Sequence, residues 1–166
     1  NFLNALERII LLPVITKLLG AENYGIWAQL GVTLSLIAPL AVLGLPQALI
    51  RFLAAEKEKK QIQEGVYSIF FVILFISLAI SLVLLLFSGP IADFLQAPLL
   101  LVQILSLVVF FECLTLVLLT CLQAFQEFGQ YAFFALFKTV GGTLLVIALV
   151  FLGQGLKGAL LAFLLI

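Results

Sequence analysis

The side chains of this sequence that could act on a ligand lie inside or beside long apolar runs. Asn1, Asn4 and Arg8 recur at i, i+3 and i+7, which sets them on one helical face with Thr16 close by. A guanidinium on such a face can hold an anionic group such as a phosphate through paired N–H donors. Arg8 either does this at the wall of a water-filled cavity or snorkels to headgroups near the inner interface. Glu7 is its neighbour in sequence and points elsewhere, so it is not the natural partner of Arg8 on that helix.

A second series is longer. Gln29, Thr33, Leu36, Leu40, Gly44, Gln47 and Arg51 recur at steps of four and three, within about 80° of arc on a helix of 100° per residue. Almost all the polar side chains of the run share this stripe, Ser35 being the exception. Lipid gives a helix no reason to collect them. Pro39 and Pro46, with Gly44 between, are expected to break or kink the helix and free backbone carbonyls, so these three residues form a candidate hinge. The stripe reads either as a cavity-lining face or as a helix-packing face with a harmless kink.

Glu112 falls near the centre of a further run with Thr115 one turn on. A carboxyl at that depth is neutral, open to water or paired with a cation. It is a candidate coupling or pairing carboxylate, with Arg8 as one possible cation; a protonated, hydrogen-bonded packing role is the alternative. Lys138 is expected to snorkel to the inner interface, with a cavity cation as the alternative. Ser77, Ser81 and Ser88, and Thr139, Gly141, Gly142 and Thr143, form small-residue seams suited to close helix packing. Cys113 and Cys121 are about 12 Å apart on a helix, too far for a disulfide, and read as small buried apolar groups.

Much chemistry is excluded. The 166 residues contain no His, which removes His-based metal and acid–base sites. No phosphate loop, paired-carboxylate site, activated nucleophile or metal cluster is present, so the sequence predicts no enzyme, no cofactor and no metal. Net charge is zero and there is no basic patch, so nucleic acid is not an expected partner.

The elements that must position these residues follow from composition. Hydrophobic residues make up 65% and charged residues 10%, with a mean hydropathy of +1.36, too apolar for a water-facing surface. Apolar runs of about 20 residues bounded by polar clusters read as membrane-spanning helices. They are expected at 1–19, 26–50, 66–87, 99–122 and 132–152, with a sixth starting at 158–166; barrel strands would be half as long and alternating. The fold class is all-α, a polytopic transmembrane helix bundle. The sequence starts at Asn1 and stops inside an apolar run at Ile166, so it is expected to be cut at both ends. The first run has Arg8 at its middle and no cleavage site, so it is not a signal peptide.

The charged stretch AAEKEKKQIQE, 54–64, together with Arg51 holds half of all Lys and Arg. Positive loops stay cytoplasmic, which predicts a cytoplasmic N-terminus, outer loops at 20–25, 88–98 and 153–157, and an inner loop at 123–130. Tyr24, Trp27, Tyr67 and Tyr131 sit where interfacial rings anchor.

The segment RIILLPVITKLLGAENYGIWAQL, followed by SLIAPLAVLGLPQALIRFLAAEKEKK, resembles the start of the polysaccharide biosynthesis membrane proteins. These are the Wzx-like O-antigen flippases of the multidrug/oligosaccharidyl-lipid/polysaccharide exporter superfamily. The LG…YG turn and the LGLPQALIRF element carry the resemblance; the remaining two thirds match in hydropathy and loop length. The resemblance implies the first lobe of a two-lobe exporter-type fold, residues 1–166, with the second lobe absent. It further implies translocation of a polyprenyl-pyrophosphate-linked oligosaccharide from the cytoplasmic to the outer leaflet of the cell (inner) membrane, for surface polysaccharide such as lipopolysaccharide. Arg8 and Arg51 match positions where such members carry cations. Partners implied are the lipid-linked oligosaccharide, the bilayer, and a polysaccharide polymerase or glycosyltransferases.

A MATE-like cation-coupled small-molecule exporter is the alternative; it would need acidic cavity residues, of which Glu112 is the one good candidate. A non-transporting scaffold would be expected to lose the Gln29–Arg51 stripe.

Overall fold

The structure, a computed structural model, describes residues 2–55 and 58–165, with side chains described outside 2–15, 18, 19, 21, 52–55 and 59. It is an all-α bundle: α1 (Phe2–Ala41), α2 (Leu45–Ala55), α3 (Lys59–Leu86), α4 (Ser88–Leu95), α5 (Leu99–Ala124), α6 (Phe128–Leu149) and α7 (Gly155–Leu165). Among the described residues there is no strand. Among the described residues, four segments are long and apolar enough to cross a membrane: Glu22–Ala41, Lys60–Leu86, Leu99–Ala124 and Phe128–Leu165.

The breaks between helices have identifiable causes. At Gly20, φ 82° and ψ 165° divide α1 in two, a conformation open to glycine and forbidden to most side chains. The expected loop at 20–25 is thus a single-residue kink, and helix resumes at once. The last predicted boundary also moves: α6 and α7 are separated by a five-residue wide turn, 150–154, with Gly153 (φ 79°) and Gly155 (φ 58°) reversing the chain. α7 folds back so closely that a Cβ on Gly158 would lie 2.7 Å from Cβ of Gln154 and 3.1 Å from Cβ of Leu149. Helix α3 begins at Lys59 rather than 66, because a charged first turn can helicise outside the apolar run.

The expected outer loop at 88–98 contains the short helix α4, with Pro90 in its first turn, where a missing N–H costs nothing. Gln96, left-handed at φ 49°, closes it: the Ala97 N–H donates to the Ala92 carbonyl and the Gln96 N–H to that of Asp93. Gln126 ends α5 in the same way, with Glu127 donating to Leu122 and Gln126 to Gln123.

α5 is the hub, packing on every other helix of the bundle. Leu101, Leu105, Val109, Cys113 and Val117 recur every four residues and are all buried. Against them lie Leu30, Ala38 and Ala41 of α1, Ile73 of α3, and Leu156 and Leu160 of α7. The serine seam of α3 faces α5: Ser77 and Ser81 are buried, and the Ser81 hydroxyl donates to the Ser106 carbonyl at 2.8 Å. Other hydroxyls are satisfied within their own helices, as Thr115 to Phe111, Thr120 to Leu116 and Thr143 to Thr139. This is how a span carries hydroxyls without leaving donors to hydrocarbon.

Two of the rings expected at an interface also hold helices together. Trp27 stacks on Phe163 of α7, centroids 5.2 Å apart, and Tyr24 packs against Val146, Val150, Ala159 and Ala162, joining α1 to the α6–α7 turn. Among the rings that face outward are Phe71 and Phe75 of α3 and Phe133, Phe134 and Phe137 of α6, on surface a bilayer would cover.

Candidate functional site

The candidate residues fall on three features: a broken span, an ion pair and a groove. The broken span comprises the second part of α1 and all of α2. Ile26 packs beside Ala92, Ala97 and Val102 at the start of α5, while further on the Cys113 thiol touches the Ala38 carbonyl at 3.9 Å. α1 and α5 therefore run in the same direction, with Ala38 at the mid-level of α5. α1 ends one turn later at Ala41, and α2 then runs along the remainder of α5. The run at 26–50, expected to break or kink around Pro39, Gly44 and Pro46, is two helices joined deep within the span.

The cause is local. Pro39 lacks the N–H that Ser35 would receive, and the Ser35 hydroxyl turns back to the Val32 carbonyl at 2.8 Å. Leu43 (φ 49°) and Gly44 (φ 69°) then lie in the left-handed region, and Pro46 fits in the first turn of α2. The turn closes its own backbone bonds: Leu45 N–H to Val42 O at 2.9 Å and Gln47 N–H to Gly44 O at 3.1 Å. A Cβ on Gly44 would meet only Gln47 Oε1 at 4.0 Å, so the glycine is needed for its φ and not for space.

The break changes the predicted stripe, because no single helical register runs from Gln29 to Arg51. Its members nonetheless share the outer side of the arm. Gln29, Leu36, Leu40, Gly44, Gln47 and Arg51 are exposed and Thr33 is half-buried, whereas Leu30, Ala38, Ala41 and Leu49 are buried. Thr33 donates its hydroxyl to the Gln29 carbonyl at 2.8 Å, leaving the oxygen free to accept. Asn4 and Arg8 lie in the first part of α1, and their side chains are outside the described residues; the expected Arg8–Glu112 pairing falls there too.

The ion pair joins α5 and α6. Lys138 Nζ donates to both carboxylate oxygens of Glu112, at 2.8 and 2.7 Å. The expectation that Lys138 snorkels is overturned. α6 begins at Phe128, so Lys138 stands about 15 Å along it, too deep for its ammonium to prefer the interface over a carboxylate. The hairpin turn at 125–127 sets the two at one depth, since Glu112 precedes it and Lys138 follows it by similar lengths of helix. Cys113 places this pair level with Ala38, close to the break. The side chains remain 28% (Lys138) and 24% (Glu112) exposed. Sequence reasoning singled out both residues and missed their meeting; equal distances from one tight turn were the available signal.

The groove lies between α1 and α4. One shallow depression of about 460 Å³ is lined by Ala28, Gln29, Val32, Thr33, Phe94 and Leu95. A second of about 200 Å³ adjoins it, with Glu22, Gly25, Ile26 and Gln96. Among the described residues no group of acidic residues and cysteines could hold a metal ion.

A helical bundle with several membrane-length segments, one of them broken at depth beside polar side chains, defines an integral membrane protein of the transport type. The model of the family described as polysaccharide biosynthesis protein matches residues 1–166, and the chain belongs to that family. No curated protein and no solved structure gives a significant match. Membership assigns the chain a role in polysaccharide biosynthesis or transport.

Proposed function

We propose that the chain forms one lobe of a flippase that carries a polyprenyl-pyrophosphate-linked oligosaccharide from the cytoplasmic to the outer leaflet of the cell membrane, with the N-terminus cytoplasmic. Its single strongest support is the broken span, on which Gln29, Leu36, Leu40, Gln47 and Arg51 are all exposed among the described residues. Several polar groups on that side lie where hydrocarbon would leave them unsatisfied, at a cost of about 2–7 kcal/mol each. A water-filled cavity between two lobes removes that cost and offers the same groups to a sugar headgroup while the lipid tail stays in the bilayer.

In this reading Asn4, Arg8, Gln29, Thr33, Gln47 and Arg51 line the cavity. The guanidinium groups receive the pyrophosphate, and Pro39, Gly44 and Pro46 form the hinge about which the arm bends as the lobes rock. Glu112, held by Lys138, is the candidate coupling carboxylate. No reacting group is required, so the protein acts without catalysing a covalent step.

The test is a flipping assay in proteoliposomes with the full-length protein and its Arg8→Ala and Arg51→Ala variants. Wild-type flipping that both variants lose while still inserting and folding supports the assignment. Flipping retained by both removes the cationic residues from the mechanism, and ion-driven efflux of a cationic dye without flipping favours the MATE-like alternative.

A further inference from the structure

We infer that the α1–α4 groove is a sugar subsite, binding the hydroxyl-rich headgroup and not the phosphate end of the carrier; this rests on the flippase function proposed above. Its two depressions meet at Gln29 and Leu95 and form one continuous surface. Glu22, Gln29 and Gln96 bring a carboxylate and two primary amides, and none makes a side-chain hydrogen bond among the described residues. Phe94 presents its ring beside them, 86% exposed.

A sugar hydroxyl both donates and accepts, and these groups match it: the amides do both, and the carboxylate and the Thr33 oxygen accept. An exposed aromatic ring offers a flat apolar face for the C–H side of a pyranose. Other occupants fit badly. No Lys or Arg lines either depression, and Glu22 would repel a phosphate. An acyl chain would strip water from Glu22, Gln29 and Gln96 and give nothing in return.

The groove's place is informative. From Glu22 to Thr33 it extends about 16 Å along α1, from the end of the bundle marked by Gly20 toward the level of the break. That end is opposite the charged 54–64 stretch, hence the outer side by the distribution of positive charge. A headgroup moving along the arm would meet partners for its hydroxyls all the way to the outer surface.

The experiment uses the full-length protein in proteoliposomes with Gly25→Cys or Val32→Cys, each labelled by a membrane-impermeant maleimide. Gly25 and Val32 are exposed helical positions on the wall of the groove that supply none of its polar groups, and each variant is first checked for monodisperse insertion and for flipping. Two probes are compared: lipid-linked oligosaccharide extracted from the source cells, and sugar-free polyprenyl pyrophosphate. Severalfold slower labelling with the oligosaccharide carrier alone is the expected result. Equal protection by both probes would overturn the subsite in favour of an anion or lipid site. No protection in a protein that still flips would overturn it while leaving the flippase function standing, and no protection without flipping would remove both.

Discussion

The α5–α6 hairpin and the α1–α2 arm each carry polar groups into the bilayer and dispose of them in opposite ways. In the hairpin Glu112 and Lys138 satisfy each other, and Thr115, Thr139 and Thr143 bond to carbonyls of their own helices. On the arm Gln29, Gln47 and Arg51 face outward with no side-chain partner among the described residues. Polarity in a span therefore has two meanings. Where the lobe pairs a group with itself, the group serves folding; where it leaves the group open, something outside the lobe must meet it.

The comparison is broken most forcefully at the ion pair. Lys138→Met leaves Glu112 without a cation at mid-depth and should destabilise the protein by about 3–5 kcal/mol, the range for removing one partner of a buried pair. The pair's partial exposure puts the expected value at the lower end. A double variant, Glu112→Gln with Lys138→Met, should recover most of the loss in a thermal unfolding measurement in detergent. If the double variant is no better than the single, the pair is not what holds the hairpin.

On the arm the sensitive position is backbone, not side chain. Gly44→Val forces a β-branched residue to φ 69° and should cost about 1–2 kcal/mol, rising if the break straightens. Wild-type stability for this variant would mean that the arm adopts another conformation at 42–44.

The smallest stability effect belongs to the open stripe. Gln29→Leu should leave stability within about 0.5 kcal/mol of wild type, because an exposed group without a partner contributes little to the fold. A loss as large as that of Lys138→Met would place Gln29 in the packing and erase the contrast.

Much of this was legible in the sequence, and the misses share a cause. Apolar run length gave the helices, and Gly20, Gly44 and Pro46 marked breaks, glycine because it reaches positive φ that side chains resist and proline because it lacks an N–H. The depth of the break could not be read, since it depends on Ala38 meeting Cys113, 75 residues away. Helix α4 hides in the expected loop at 88–98 because Ser88, Gly89 and Pro90 punctuate like a turn, although Pro is harmless in a first helical turn. The sequence offers Arg8 as a cation for Glu112 and places Lys138 at the interface, while the Glu112–Lys138 pairing belongs to the register of a hairpin.

The central claim is that the outer side of the broken span faces water and not lipid. Spin labels placed singly at 33, 36, 40 and 47 of the full-length protein in liposomes test it, with 71, 75, 133 and 137 as the lipid-facing set. Relaxation is compared between molecular oxygen, which partitions into hydrocarbon, and a polar nickel chelate, which stays in water. The account predicts that the chelate dominates at all four arm positions, including the apolar Leu36 and Leu40, and oxygen at the other four. Oxygen dominance along the arm would contradict it, making the stripe a lipid-facing surface and the cavity a misreading.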